Sequence, residues 1–262
     1  MEFAVVGLAS FLTAALTLFS GFGLGTLLFP VFALFFPVEA AVAATAVVHG
    51  ANNIFKIAVV GRHADGVLVI RFGLPAVVAA FLGAAALGYL SRFGVIATYS
   101  FGSVSAEISP IKLLMGVLMF VFALFELLPA LRKLQFGRRY LFFGGLLSGF
   151  FGGLSGHQGA LRAAFLAKVG ISTEAFVGTN AMIGFMVDVS RIVMYAIVFF
   201  FVQAGTPFDF THWPLIATGI AAAFAGVMTG KRFLKKITMK TVQTATGIFL
   251  LGIAFFLAAG LI

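Results

Sequence analysis

The chain contains no cysteine and few charged residues. The absence of cysteine among its 262 residues excludes disulfides, thiolate metal sites and a cysteine nucleophile. Only 10% of the residues are charged, whereas soluble domains usually contain about 25%. The hydrophobic share is 62% and the mean hydropathy is +1.16. This composition predicts an integral membrane protein, and it excludes a soluble enzyme, a nucleic-acid-binding protein and a disulfide-stabilised secreted domain.

The scarcity of charge leaves apolar runs that are long enough to cross a bilayer. About 20 apolar residues at 1.5 Å each span roughly 30 Å of hydrocarbon. Lys and Arg gather in short connections near residues 62–71, 132–139 and 231–240, which we expect to be cytoplasmic. We therefore predict an all-α, multi-pass protein of the cell inner (plasma) membrane. The predicted transmembrane spans are residues 38–60, 67–90, 110–131, 172–202, 214–230 and 241–262.

Two further apolar segments, residues 3–36 and 140–170, are too long for one span and are interrupted by glycine. We predict that each is a helix–break–helix hairpin, either re-entrant or built from two short tilted spans, whose ends return to one side. A non-helical break at membrane depth is tolerated only where protein buries it or where it lines a cavity. Both breaks are therefore candidate walls of a site. The glycines are Gly21, Gly23 and Gly25 in the first segment and Gly149, Gly152, Gly153, Gly156 and Gly159 in the second.

The two halves of the chain resemble each other when shifted by 135 residues, which aligns Glu39 with Glu174 and Asn53 with Asp188. Each half would contain one hairpin followed by three spans, an odd net number of crossings. We therefore predict two repeats, residues 1–131 and 140–262, of which the second is inverted. Inverted repeats with broken helices are typical of secondary transporters, whose site lies near the membrane midplane.

Polar residues cluster on the first full span of each repeat. His49, Asn53 and Lys56 share one helix face. The free energy of inserting a Lys or Arg side chain into hydrocarbon is unfavourable by roughly 2.5–3.5 kcal/mol. We therefore expect this face to point into the protein interior. The alternatives to a role in substrate binding are that Lys56 snorkels to the interface and that Arg191 forms a structural ion pair with Asp188. The residues predicted to bind substrate are Gly23, Thr26, His49, Asn52, Asn53, Lys56, Gly156, His157, Gln158, Arg162, Asn180 and Arg191.

Four short motifs follow one another along the chain. They are a glycine-rich break before Pro30, Asn-Asn-x-x-Lys at residues 52–56, Gly-Gly-Leu-Ser-Gly-x-x-Gly at residues 152–159, and Gly-Thr-Asn at residues 178–180. This order resembles the TauE/SafE family of sulfite and organosulfonate exporters, over essentially the whole chain. The resemblance implies a transporter of small sulfur-containing or carboxylate anions. The second break departs from the family pattern in its polar side chains, which leaves room for a substrate headgroup other than sulfite.

We expect a secondary carrier for a small oxyanion, with an anion channel as the alternative. An intramembrane enzyme using His157 with Ser155 or Asp188 is disfavoured, because the chain has neither an HExxH nor a GxSxG motif. The expected partners are a small anionic substrate and the lipid bilayer, without nucleic acid, cofactor or metal, and a homo-oligomer is compatible with this pattern. The candidates for proton coupling are His49, His157 and Asp188, and we expect uniport or proton coupling rather than sodium coupling.

Overall fold

The computed structural model describes residues 1–17, 24–102, 104–202, 212–233 and 239–262, and these residues are mostly helical. Short 3-10 turns occupy Gly61–His63 and Arg138–Tyr140, and π-helical turns occupy Val69–Gly73 and Val198–Val202. The α-helices are α1 (Glu2–Thr17), α2 (Leu24–Phe32), α3 (Val38–Val60), α4 (Gly66–Leu68), α5 (Leu74–Leu90), α6 (Pro110–Leu127), α7 (Pro129–Arg132), α8 (Leu141–Ser155), α9 (Gly159–Leu166), α10 (Thr173–Ile197), α11 (Trp213–Phe233) and α12 (Met239–Ala258).

The chain is a helical membrane protein. Within the described part, five helices are long and apolar enough to cross a membrane, and they correspond to five of the six predicted spans. The sixth predicted span contains a shorter apolar helix, Gln243–Ala258. The five helices are Val38–His63, Gly66–Leu90, Pro110–Leu127, Thr173–Phe201 and Trp213–Gly230.

The helix of the third predicted span ends before residue 131. Helix α6 ends at Leu127, and Leu128 adopts an extended conformation with φ −83° and ψ 118°. The reason is Pro129, because the ring of a proline disfavours the helical conformation in the residue before it. The short helix α7 then begins at Pro129, where a missing N–H group costs nothing.

A β-hairpin interrupts the otherwise helical chain between α5 and α6. Strands β1 (Ala97–Phe101) and β2 (Val104–Ile108) pair antiparallel. The hairpin is joined to the end of α12, because the Glu107 amide donates to the Gly260 carbonyl at 3.0 Å and the Tyr99 hydroxyl donates to the Ala259 carbonyl at 2.7 Å. The β-hairpin and the C-terminal residues therefore lie at the same end of the bundle.

Most glycines of the second predicted hairpin serve helix packing and not the break. Gly149, Gly152 and Gly153 lie inside α8 and do not interrupt the helix, contrary to the prediction from the sequence. A Cβ atom at Gly149 or Gly153 would lie 2.0 Å from a backbone carbonyl oxygen of α5. Small residues allow two helix backbones to approach closely in membranes, and α8 uses them to pack along α5.

The arms of the second hairpin are too short to cross a bilayer. Helix α8 has 15 residues and α9 has 8, so at 1.5 Å per residue they measure about 22 and 12 Å. The start of α8 lies beside the end of α9, because the Arg138 guanidinium donates to the Val169 carbonyl at 2.5 Å. The hairpin therefore enters and leaves at one end of the bundle.

In two pairs of corresponding helices, the first residues are separated by the same 135 residues that align the two halves of the sequence. Leu24 and Gly159, which begin α2 and α9, are 135 residues apart, and so are Val38 and Thr173, which begin α3 and α10. Helix α3 packs against α10 and α6 packs against α12, while α1 packs against α11 as α8 does against α5. The bounds of the two repeats and their inverted orientation stay predictions.

Candidate functional site: a buried cationic cavity

The break between α8 and α9 is only three residues long. Helix α8 ends where Gly156 adopts a left-handed conformation with φ +82°, which glycine tolerates without a steric penalty. A Cβ atom at this position would also lie 2.8 Å from Nη1 of Arg191. The Ser148 hydroxyl then donates to the Gln158 carbonyl at 3.0 Å. These contacts hold the start of α9 in the protein interior.

The break opens onto a buried cavity between α2, α3, α9 and α10. Its volume is about 20 Å³, which is room for about one water molecule. None of the described residues that line it is acidic. These residues are Thr17, Leu24, Gly25, Thr26, His49, Asn53, Lys56, Gly156, Gln158, Gly159, Arg162, Val177, Asn180 and Ala181.

The carboxylate of Asp188 lies behind this cavity, is fully buried, and accepts hydrogen bonds from both halves of the chain. Oδ2 lies 2.6 Å from Nδ1 of His49 and 2.9 Å from Nδ2 of Asn53. Oδ1 accepts from Nη2 of Arg191 at 2.8 Å, from its Nε at 3.1 Å, and from Nε2 of Gln158 at 3.3 Å. The carboxylate is thus saturated with donors, and Arg191 compensates its charge.

Arg162 reaches the cavity from α9 and is held by neutral groups. Its Nε donates to Oδ1 of Asn180 at 2.7 Å, and its Nη1 donates to Oε1 of Gln158 at 2.9 Å. Amide oxygens orient a guanidinium without cancelling its charge. Arg162 therefore contributes an uncompensated positive charge to the cavity wall.

Lys56 contributes the second positive charge. Its side chain is only 8% exposed and lines the cavity. Among the described residues, it forms neither a hydrogen bond nor an ion pair. A buried ammonium of this kind is unfavourable on its own. Together, Lys56 and Arg162 make the cavity suited to an anion and unsuited to a cation.

The structure brings eight of the predicted substrate-binding residues to this cavity and separates three others from it. Gly23 lies outside the described residues. The eight are Thr26, His49, Asn53, Lys56, Gly156, Gln158, Arg162 and Asn180. The three that do not line the cavity are Asn52, His157 and Arg191.

These three side chains have other surroundings. Asn52 is fully buried on another part of α3, and its amide finds no hydrogen-bond partner in the described part of the chain. The His157 ring stacks on Phe122, with ring centroids 5.0 Å apart, and its Nδ1 lies 3.1 Å from the Ser155 hydroxyl. Arg191 turns toward Asp188 and donates from Nη1 to the Gly152 carbonyl at 3.3 Å.

The sequence reasoning missed Thr17 as a lining residue. Thr17 is the last residue of α1 and is buried. Thr17 lies four residues before Gly21, the first glycine of the predicted break, and a polar residue at this distance was a signal that could have identified it. The apolar lining residues Leu24, Val177 and Ala181 carry no comparable signal, because such residues occur throughout membrane helices.

A family model described as Sulfite exporter TauE/SafE matches residues 6–257. The chain belongs to the TauE/SafE family. The resemblance inferred from the order of the motifs is therefore confirmed over nearly the whole chain. TauE/SafE is a family of transporters and not of enzymes. Membership of this family assigns the chain to membrane transport. Comparisons with curated proteins and with solved structures give no match.

Proposed function

We propose that the protein is a secondary transporter of a small sulfur oxyanion, either sulfite or an organosulfonate, in the cell inner membrane. The observation that supports this most directly is that Lys56 and Arg162 line one buried cavity without an acidic residue among its described lining. The desolvation cost of two buried cations is offset when an anion binds between them. The anion would then lie between the first span of one repeat and the broken hairpin of the other.

The groups around the cavity match the hydrogen-bonding needs of an oxyanion. Sulfite and sulfonate oxygens accept hydrogen bonds only, and a guanidinium offers a planar set of donors to them. Lys56 adds a mobile ammonium, and Thr26 adds a hydroxyl. The first residue of α9, Gly159, also lines the cavity, and the positive end of a helix dipole favours an anion.

We propose that the two repeats are inverted and exchange outward- and inward-facing states around this cavity. The packing supports this, because α1 contacts α11 in the same way that α8 contacts α5, while α3 and α6 contact their own counterparts, α10 and α12. The cavity volume of about 20 Å³, which is room for about one water molecule, favours a carrier whose helices move during transport over a permanently open channel.

Thermal unfolding of the purified protein with added anions tests the proposal. We expect sulfite or a simple organosulfonate to raise the Tm, and acetate to raise it less. Lys56→Gln should abolish the shift. Lys168→Gln, which removes an exposed cation near the end of α9, is the matched control and should leave it unchanged. If no sulfur oxyanion stabilises the native protein, or if Lys56→Gln responds fully, the proposed site is wrong.

Counterflow in proteoliposomes separates a carrier from a channel. A carrier should give saturable uptake of labelled sulfite that is accelerated by unlabelled sulfite inside the vesicles. Uptake that rises linearly with concentration and shows no counterflow would indicate the anion channel instead.

A further inference from the structure

Glu126 is buried near the end of α6 without a partner that explains its charge. Its side chain is 3% exposed, and its Oε2 has no hydrogen-bond partner in the described regions. The last turn of a helix carries a partial negative charge, which disfavours a carboxylate there. An ionised carboxylate that is buried without a partner is strongly unfavourable. This packing therefore accommodates the neutral acid and not the ionised form.

Glu126 lines a second cavity, whose volume is about 220 Å³. This volume is room for several water molecules, which gives the carboxyl group a route for proton exchange. Besides Glu126, Arg132 is the only charged residue in the described lining. The other polar lining residues are Gln135 and Gln243.

The charged neighbour of Glu126 is partly engaged elsewhere. Arg132 donates from Nε to the backbone carbonyl of Glu126 and from Nη2 to the Thr244 hydroxyl at 3.0 Å. It forms no ion pair with the Glu126 carboxyl group within the described structure. Because both side chains line the cavity, Arg132 is the cation nearest at hand for an ionised Glu126 in the described lining.

Helix α9 separates the second cavity from the anion cavity. Ala160, Ala163, Ala164 and Ala167 face the Glu126 cavity, whereas Gly159 and Arg162 line the anion cavity. The face of α9 toward Glu126 thus consists of small side chains next to open space. Helix α9 is therefore a wall that both cavities share, and a shift of α9 into that space would move Arg162.

We propose that Glu126 is the proton-binding site that couples proton movement to anion transport, with α9 as the element that responds. Protonated Glu126 stabilises the packed position of α9 seen here. Release of the proton favours a position in which water and Arg132 reach the carboxylate, and this movement changes the distance between the two cations of the anion cavity. The proposal rests on the proposed function as an anion transporter.

The test compares native protein with Glu126→Gln in proteoliposomes loaded with sulfite. Glu126→Gln keeps the shape of the neutral acid but cannot release a proton. Because sulfite itself takes up protons near neutral pH, the difference between the two proteins is the quantity that reports on Glu126. If one proton moves with each sulfite ion, a pH gradient of about one unit should change the ratio of internal to external sulfite. This change should be about tenfold larger in the native protein than in Glu126→Gln.

The variant should still bind sulfite and perform sulfite counterflow, which a merely structural defect would abolish. Glu107→Gln, which changes an exposed acid on the β-hairpin, is the matched control and should respond like native protein. If Glu126→Gln retains the full response to the pH gradient, Glu126 is not the coupling site. If neither protein binds or carries sulfite, the proposed function itself fails, and the coupling proposal fails with it.

Discussion

The carboxylate of Asp188 accepts a hydrogen bond from Nη2 of Arg191 at 2.8 Å, and both side chains are fully buried. This ion pair determines the charge of the neighbouring cavity. Asp188 pairs with Arg191 and forms no ion pair with Lys56 or Arg162 in the described structure, so three cations surround one carboxylate. The excess positive charge is the physical basis for anion binding in this account.

The ion pair predicts a stability defect when Arg191 is removed. Arg191→Gln leaves Asp188 buried without its cation, and breaking a buried pair in this way typically costs about 3–5 kcal/mol. We expect a large loss of stability, measured by unfolding in detergent. The double variant Asp188→Asn with Arg191→Gln should recover much of it, because no charge is left unpaired. A single variant as stable as the native protein would contradict the structural role of Arg191.

Asn180→Asp should weaken anion binding without destabilising the fold. The new carboxylate would lie beside Nε of Arg162, which now donates to Asn180 at 2.7 Å, and would cancel the guanidinium charge. We expect sulfite affinity to fall at least about tenfold, or about 1.4 kcal/mol, while the Tm without ligand stays the same or rises. Binding is measured by calorimetric titration.

Asn180→Leu is the control for this experiment. It removes the same hydrogen bond without adding charge, so its effect on affinity should be smaller. Equal losses in the two variants would mean that the position of Arg162, and not the charge of the cavity, determines binding.

Lys56→Met should make the ligand-free protein more stable. The ammonium is buried with neither a hydrogen bond nor an ion pair in the described part of the chain, and insertion of a lysine into hydrocarbon costs roughly 2.5–3.5 kcal/mol. An unfolding titration without substrate should therefore show higher stability for Lys56→Met, together with loss of sulfite binding. Lower stability with intact binding would assign Lys56 to packing.

The close contact between α5 and α8 predicts that Gly153→Ala is destabilising. The added Cβ would lie 2.0 Å from the Ala80 carbonyl oxygen, and overpacking of this kind typically costs about 1–3 kcal/mol. Gly252→Ala in α12 is the matched control, because its Cβ would meet no atom within 4 Å. The Tm of the first variant should fall and that of the second should not. Equal Tm values would contradict the observed packing.

Helical spacing was enough to predict that His49, Asn53 and Lys56 face one site, because residues three and four apart lie on the same side of a helix. It could not distinguish glycines that break a helix from those that pack it, since that depends on Ala76 and Ala80 of α5. The sequence alone could not decide whether Arg191 pairs with Asp188 or binds the substrate, because either a carboxylate or a bound anion satisfies a buried arginine.

The contacts that the sequence did not predict are those between distant elements. Glu126 lies near a helix end, which is a typical place for an interfacial residue, but Gly247 of α12 packs against its side chain. The β-hairpin was missed because its strands depend on the end of α12 for two of their hydrogen bonds. Such contacts leave no periodic pattern in the chain.

The central claim is that a sulfur oxyanion binds between Lys56 and Arg162. Selenite, which has the shape and charge of sulfite, allows a direct measurement by anomalous diffraction at the selenium edge from crystals grown with it. The account predicts an anomalous peak in the cavity, with selenite oxygens within hydrogen-bonding distance of the Lys56 ammonium and the Arg162 guanidinium. A selenium peak elsewhere in the protein, with none between these two cations at a concentration that saturates binding in solution, would contradict the account.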